Sequence, residues 1–133
     1  MNSSARLSFD KSDRLCSVRR ISEIFRTGTV IFNHPLKALY LPNDTQFSRV
    51  VISVPKRLFK RAVKRNHIKR QIREILRRAH FRDFSRNGVD ISLLFIGKEL
   101  PDYNLLNEKI KDVLEKISKR VESNTLPSTD NID

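Results

Sequence analysis

The sequence lacks features that several common classes of protein require. Its 133 residues include one cysteine, three glycines and no tryptophan. The single cysteine, Cys16, excludes an internal disulfide and is interpreted as a small structural residue. No apolar run reaches the roughly 18 residues of a membrane span, and the N-terminus lacks the apolar core of a signal peptide. These absences lead us to expect a cytoplasmic protein.

Groups for hydrolytic chemistry are equally sparse. The carboxylates are scattered, and those near the C-terminal end alternate with lysines, as on a solvated helix face. His34, His67 and His80 have no partner nearby in sequence. Cys and His show no metal-ligand spacing, and no glycine-rich phosphate loop is present. We therefore predict that the protein has no catalytic residue, no metal ligand and no bound cofactor of its own.

The positive charge is concentrated in residues 56–82, which we call the basic segment. It holds 12 of the 27 Lys and Arg with one acid, Glu74, and so carries +11 of the formal +12. Such a concentration is typical of a polyanion site. A merely solvated helix face is the alternative. Phosphate binding is favoured, because the segment has almost no acidic residues to offset the repulsion between its cations. From Arg70 to Arg82 every cation is also an arginine, whose forked donors suit phosphate.

Periodicity predicts a single α/β domain at residues 1–122, with a flexible arm at 1–13 and a disordered tail at 123–133. Helices are predicted at 18–26 (capped by Ser17 and ended by Gly28), from 66 onward, and at 106–121. Strands are predicted at 29–32, 36–41, 49–54 and 90–96. Because their connections are short, we expect the first three strands to form an antiparallel meander. The order αβββαβα indicates an α/β sandwich of four strands with helices packed on it.

The helix of the basic segment has two faces on a helical wheel. An apolar arc about 100° wide, predicted to pack on the sheet, contains Ile68, Ile72, Ile75, Leu76 and Ala79. The neighbouring arc forms a cationic ridge of Asn66, Lys69, Arg70, Arg73 and Arg77. Residues 56–64 are interpreted as a basic loop in which Ala62 and Val63 dock inward.

Three aromatic residues, Phe25, Tyr40 and Phe47, can each be read in two ways. An aromatic side chain facing a groove can stack an unpaired base, whereas the same side chain can simply belong to the core. For Phe25, on an apolar stripe, the two readings are even. Tyr40 is more readily exposed, because its hydroxyl group needs water or a partner.

Residues 49–57 and 62–74 resemble the protein subunit of bacterial ribonuclease P. They contain a hydrophobic strand, a basic pair and most of an arginine-asparagine-arginine signature that continues into a basic helix. The resemblance covers about residues 6–120. Three positions depart from the family pattern: His67 replaces the second signature arginine, Ile21 stands where many members have Phe, and Leu58-Phe59 replaces the usual glycine.

The resemblance implies a four-stranded mixed sheet with a left-handed βαβ crossover, a ribosomal protein S5 domain 2-like fold, although right-handed crossovers are the rule. It implies a subunit that binds a catalytic RNA and the 5′ leader of precursor tRNA, and that broadens the substrate range. The RNA, with Mg²⁺ bound to it, would remove the leader. The expected leader-binding cleft contains Ile21, Phe25 and Tyr40. The expected RNA-binding residues are Lys56, Arg57, Lys60, Arg61, Lys64, Arg65, Asn66, His67, Lys69, Arg70 and Arg73.

Two other functions fit a basic helix. A ribosomal or general RNA-binding structural protein would share the helix but have no substrate. A DNA-binding helix-turn-helix protein needs two adjacent helices joined by a short turn, whereas predicted strands flank the basic helix here.

Overall fold

The computed structural model describes residues 17–43, 45–85 and 87–124, without the side chains of Arg82, Ser123 and Asn124. Its helices are α1 (Val18–Thr27), α2 (Ala62–Arg78) and α3 (Tyr103–Asn124), with a short 3-10 turn at Phe81–Asp83. Its strands are β1 (Thr29–Asn33), β2 (Leu36–Pro42), β3 (Arg49–Ser53) and β4 (Val89–Phe95). The predicted order αβββαβα is confirmed. The predictions for Cys16, for the arm at 1–13 and for residues 125–133 lie outside the described residues.

The four strands form one mixed sheet in the order β1-β2-β4-β3. β1 pairs with β2 and β2 with β4 in antiparallel fashion, whereas β3 pairs with β4 in parallel. The expected antiparallel meander of the first three strands is therefore wrong, because β4 lies between β2 and β3. β4 is buried along almost its whole length, and a strand buried on both faces belongs at the centre of a sheet. The hand of the β3–α2–β4 crossover stays a prediction.

The main core lies between the sheet and the two long helices. The arc predicted to face the sheet is confirmed, since Ile68, Ile72, Ile75 and Leu76 of α2 are fully buried. α3 adds an apolar stripe that includes Leu106, Ile110, Val113 and Ile117. Each such side chain contributes about 1.5–3 kcal/mol on burial. This packing fixes which face of α2 remains at the surface.

Helix α1 packs on the opposite face of the sheet. Its Ile24 is fully buried against Leu39, with Leu41, Val51 and Leu94 packed around the pair. The predicted cap is confirmed, because the Ser17 hydroxyl accepts a hydrogen bond from the Arg20 amide at 3.2 Å. α1 therefore covers strands β2, β3 and β4.

The residue that follows α1 is Gly28, because this position has no space for a side chain. A Cβ at this position would lie 2.5 Å from the carbonyl oxygen of Ile24 and 3.1 Å from that of Tyr40. Its φ of −72° is available to any residue, so backbone freedom is not the reason for glycine. The close approach lets β1 begin at the next residue and run beside β2.

Within the described ranges, no helix is both long and apolar enough to cross a lipid bilayer.

Candidate RNA interface

The predicted RNA-binding residues lie on the loop before α2 and on the first three turns of that helix. Lys56, Arg57, Lys60, Arg61, Lys64, Asn66, His67 and Arg70 are exposed, and Arg65, Lys69 and Arg73 are half-buried. In the part of the chain that the structure describes, none of these cations forms an ion pair. The structure thus places these eleven residues on one loop and the helix that follows it, and we call them the basic surface.

Glu74, the one acid of the basic segment, lies beyond this surface. Its carboxylate accepts hydrogen bonds from Arg77 Nη2 and Arg78 Nε, each at 2.6 Å. The hydrogen bonds from Arg77 and then Arg78 lower the pKa of Glu74 to about 2. Glu74 therefore offsets positive charge at the C-terminal end of α2 and leaves the basic surface uncompensated, which favours binding of a polyanion.

The loop before α2 is held in place by a turn at its start and by a buried ring. The amides of Leu58 and Phe59 donate to the carbonyl of Pro55 at 3.1 and 3.3 Å. The Phe59 ring is buried, with its centroid 6.0 Å from that of Phe95. The departure from the family pattern at Leu58-Phe59 therefore supplies an apolar anchor for the loop.

Arg65 has an internal role that sequence reasoning did not predict. Its Nη1 donates to the backbone carbonyls of Phe59 at 2.8 Å and Lys60 at 2.9 Å. This side chain joins the first turn of α2 to the preceding loop. The positions of Lys56, Arg57 and Lys60 thus depend partly on Arg65.

Helix α2 begins at Ala62, four residues before the predicted start at Asn66. Ala62 and Val63 do not dock inward as expected, since both are exposed and Val63 keeps 77% of its surface. At 100° per residue they point away from the arc around Ile68 that packs on the sheet. The first turn contains no acidic residue, and Arg61 provides no side-chain cap.

The expected leader-binding cleft is only partly assembled. Ile21 packs beside the Ile24 cluster of α1, and Phe25 is 51% exposed. Tyr40 is 3% exposed and lies in the core beneath α2 and α3, so the prediction that it faces this cleft is wrong. Successive strand residues point to opposite faces. Because Leu39 faces α1, its neighbour Tyr40 must face the other helices.

Sequence reasoning missed Phe32, which is 65% exposed on β1. Ile31 beside it belongs to the main core, so Val30 and Phe32 point to the α1 side of the sheet. The strand was predicted from the sequence. Because successive side chains of a strand point to opposite faces, the sequence did not show which of the two sets faces the core. Only the burial of Ile31 decides between them.

A buried carboxylate ties α1 to the sheet. Asp90 Oδ2 accepts hydrogen bonds from Arg20 Nε and Arg49 Nη2, both at 2.7 Å, and Oδ1 accepts from Arg49 Nε at 2.9 Å and Asn43 Nδ2 at 2.8 Å. Burial raises the pKa of Asp90, but the hydrogen bonds from Arg49, Asn43 and Arg20 outweigh burial and hold the pKa below its usual value. We call these four residues the Asp90 network.

No group of three or more His, Cys, Asp or Glu among the described residues is placed to hold a metal ion. The predictions of no catalytic residue and no metal ligand for the whole chain stay predictions.

Comparison with known proteins agrees with this fold. A family model described as Ribonuclease P matches residues 9–118. The ribonuclease P protein component of Porphyromonas gingivalis is 30% identical over 134 residues, covering 95% of this chain and 98% of that protein. The protein component of Petrotoga mobilis is 37% identical over 116 residues, covering 82% and 94%.

Solved structures show the same architecture. The RNase P protein from Thermotoga maritima superposes with a TM-score of 0.68 at 30% identity, covering 77% of this chain and 96% of that one. The RNase P protein of Staphylococcus aureus gives a TM-score of 0.69 and covers 80% and 96%, and at 24% identity it supports the fold alone. From the match over residues 9–118 and these relatives, the chain belongs to the ribonuclease P protein family.

Proposed function

We propose that this chain is the RNA-binding subunit of a ribonuclease P holoenzyme that removes the 5′ leader of precursor tRNA. The observation that carries the proposal is the basic surface, whose cations have no acidic partners within the described residues. A polyanion is the partner that such a surface needs, and family membership makes the catalytic RNA the expected one. A cytoplasmic location belongs to the same proposal.

In this proposal the RNA partner and its Mg²⁺ ions carry out the hydrolysis. The protein binds and orients RNA. The forked guanidinium groups of Arg70 and Arg73 suit phosphate oxygens, because two N–H groups can donate in parallel. Asn66 and His67 are exposed on the same turn. Their side chains add hydrogen-bonding groups without the fixed positive charge of an arginine.

The leader lies beside α1 in this proposal. Phe25 keeps about half of its surface available for an unpaired base, and Ile21 forms part of the apolar floor. Tyr40 is left out, because its ring lies in the core on the far side of the sheet.

The test is cleavage of precursor tRNA by the protein alone, by the RNA alone, and by both together over a range of magnesium concentrations. We expect the mixture to cut at the mature 5′ end at lower magnesium than the RNA alone. Cleavage by the protein without RNA would overturn the assignment of catalysis to the RNA. If RNA crosslinked in cells is mainly ribosomal, with no ribonuclease P RNA, the ribosomal alternative replaces this proposal.

A matched pair of charge reversals tests the surface itself. Arg70 lies on the basic surface, whereas Arg120 is an exposed arginine on α3. Arg70→Glu should weaken RNA binding and leave the unfolding midpoint unchanged, and Arg120→Glu should change neither strongly. Equal loss of binding in both variants would show that total charge, rather than this surface, binds RNA.

A further inference from the structure

Strand β1 presents an apolar surface that nothing in the described chain covers. Phe32 and Val30 keep 65% and 48% of their surface exposed and point to the face of the sheet that carries α1. Helix α1 packs on the other three strands, around Leu39, Val51 and Leu94. β1 is an edge strand, so its outward face stays open beside the helix.

A cation lies directly beside the exposed ring. Lys37 of β2 is the register partner of Phe32, and such opposite residues on antiparallel strands have Cβ atoms about 4.5–5.5 Å apart on the same face. Lys37 is exposed and forms no ion pair within the described residues. An exposed aromatic ring with a neighbouring cation is the usual composition of a site for an unpaired nucleotide, in which the base stacks and the phosphate meets the charge.

We propose that Phe32, with Val30 and Lys37, binds an unpaired nucleotide of the 5′ leader as a stacking position separate from Phe25. The inference rests on the proposed function, because it takes the leader as the single strand that passes this face. It adds a binding residue on β1, and it predicts that nucleotides reaching beyond α1 still contribute to affinity.

A second copy of the chain is the competing occupant, since β1 is an edge strand that another β1 could extend. The charge opposes that pairing. Two chains of formal charge +12 repel each other. A nucleic acid strand relieves the same charge.

The experiment compares Phe32→Leu with Phe32→Trp in the reconstituted holoenzyme, on precursor tRNAs whose leaders increase in length. Leucine keeps apolar bulk without a ring, so it should weaken binding of long-leader substrates about tenfold, within the range for loss of one base–aromatic stack. Tryptophan should retain that affinity. Binding of leaderless tRNA and of the RNA subunit should stay unchanged in both variants.

Phe32→Trp also gives a direct signal, because the natural sequence has no tryptophan. Its fluorescence should change when a long-leader substrate binds and stay constant with leaderless tRNA. Equal affinities of Phe32→Leu and wild type at every leader length would overturn the proposal, as would a dimer that Phe32→Leu converts to monomer. Failure of the wild-type protein to assemble with the RNA would instead refute the proposed function itself.

Discussion

Replacing Asp90 with asparagine should strongly destabilise the protein, because Asp90 joins three separate segments to β4. Its buried carboxylate accepts four hydrogen bonds, three of them from the guanidinium groups of Arg20 and Arg49. Removing one partner of a buried ion pair costs about 3–5 kcal/mol. Because the side chains of Arg20 and Arg49 keep 21% and 37% of their surface exposed, water offsets part of the loss. We expect a decrease of about 3 kcal/mol in the free energy of unfolding, or about 10 °C in Tm.

The assay is urea or thermal unfolding of Asp90→Asn beside Glu23→Gln. Glu23 also accepts a hydrogen bond from Arg20, at 2.9 Å, but its side chain is 46% exposed. An exposed pair of this kind contributes at most about 0.5–1 kcal/mol. Both variants remove one negative charge near Arg20, so the comparison separates burial from net charge.

The dependence on pH has a definite sign. Because the folded-state pKa of Asp90 is lowered, its carboxylate stabilises the fold above the unfolded-state pKa of about 4, and that stabilisation is lost as pH falls through the folded-state value. The difference between wild type and Asp90→Asn should therefore be constant near neutral pH and shrink in acid. The reasoning is refuted if Asp90→Asn unfolds within about 0.5 kcal/mol of wild type at neutral pH, the usual spread of inconsequential substitutions, or if the difference persists unchanged in acid.

Three further predictions concern the core and the basic surface. Tyr40→Ala should lower the free energy of unfolding by about 3–5 kcal/mol while the folded protein keeps its leader affinity; a loss of leader affinity at unchanged stability would return Tyr40 to the cleft. Arg65→Met should speed amide hydrogen exchange in the loop at residues 56–61 of the free protein as well as weaken RNA binding, whereas Lys64→Met should weaken binding alone; equal exchange in both would make Arg65 a direct contact only. The logarithm of RNA affinity should fall linearly with the logarithm of salt concentration, and Arg70→Ala should reduce that slope by about 0.7–0.9, with Arg120→Ala as the unchanged control.

Helix α2 shows which features can be predicted from the local sequence pattern. A helix repeats every 3.6 residues, so spacing alone separated the buried side chains around Ile72 from the exposed ones around Arg70. The concentration of charge needed only counting. The start of the helix was misplaced because the residues before Asn66 are exposed and therefore show no apolar stripe, although they are helical.

Arg65 marks a limit of the same reasoning. Its place in the basic segment predicted a contact with RNA, and the structure adds hydrogen bonds to two carbonyls of the preceding loop. Those bonds depend on how the chain folds back before α2. Sequence spacing contains no information on that path.

Composition, periodicity and motif by themselves determined the order of elements, the apolar and cationic faces of α2, and the family. Tertiary structure alone decided that β4 lies between β2 and β3, and that Phe32 rather than Tyr40 is exposed on the α1 side. The reason is that helical faces follow from neighbouring residues, whereas strand order depends on pairing between distant segments. Alternation along a strand predicts two faces, and only the helix packed on each face decides which one is buried.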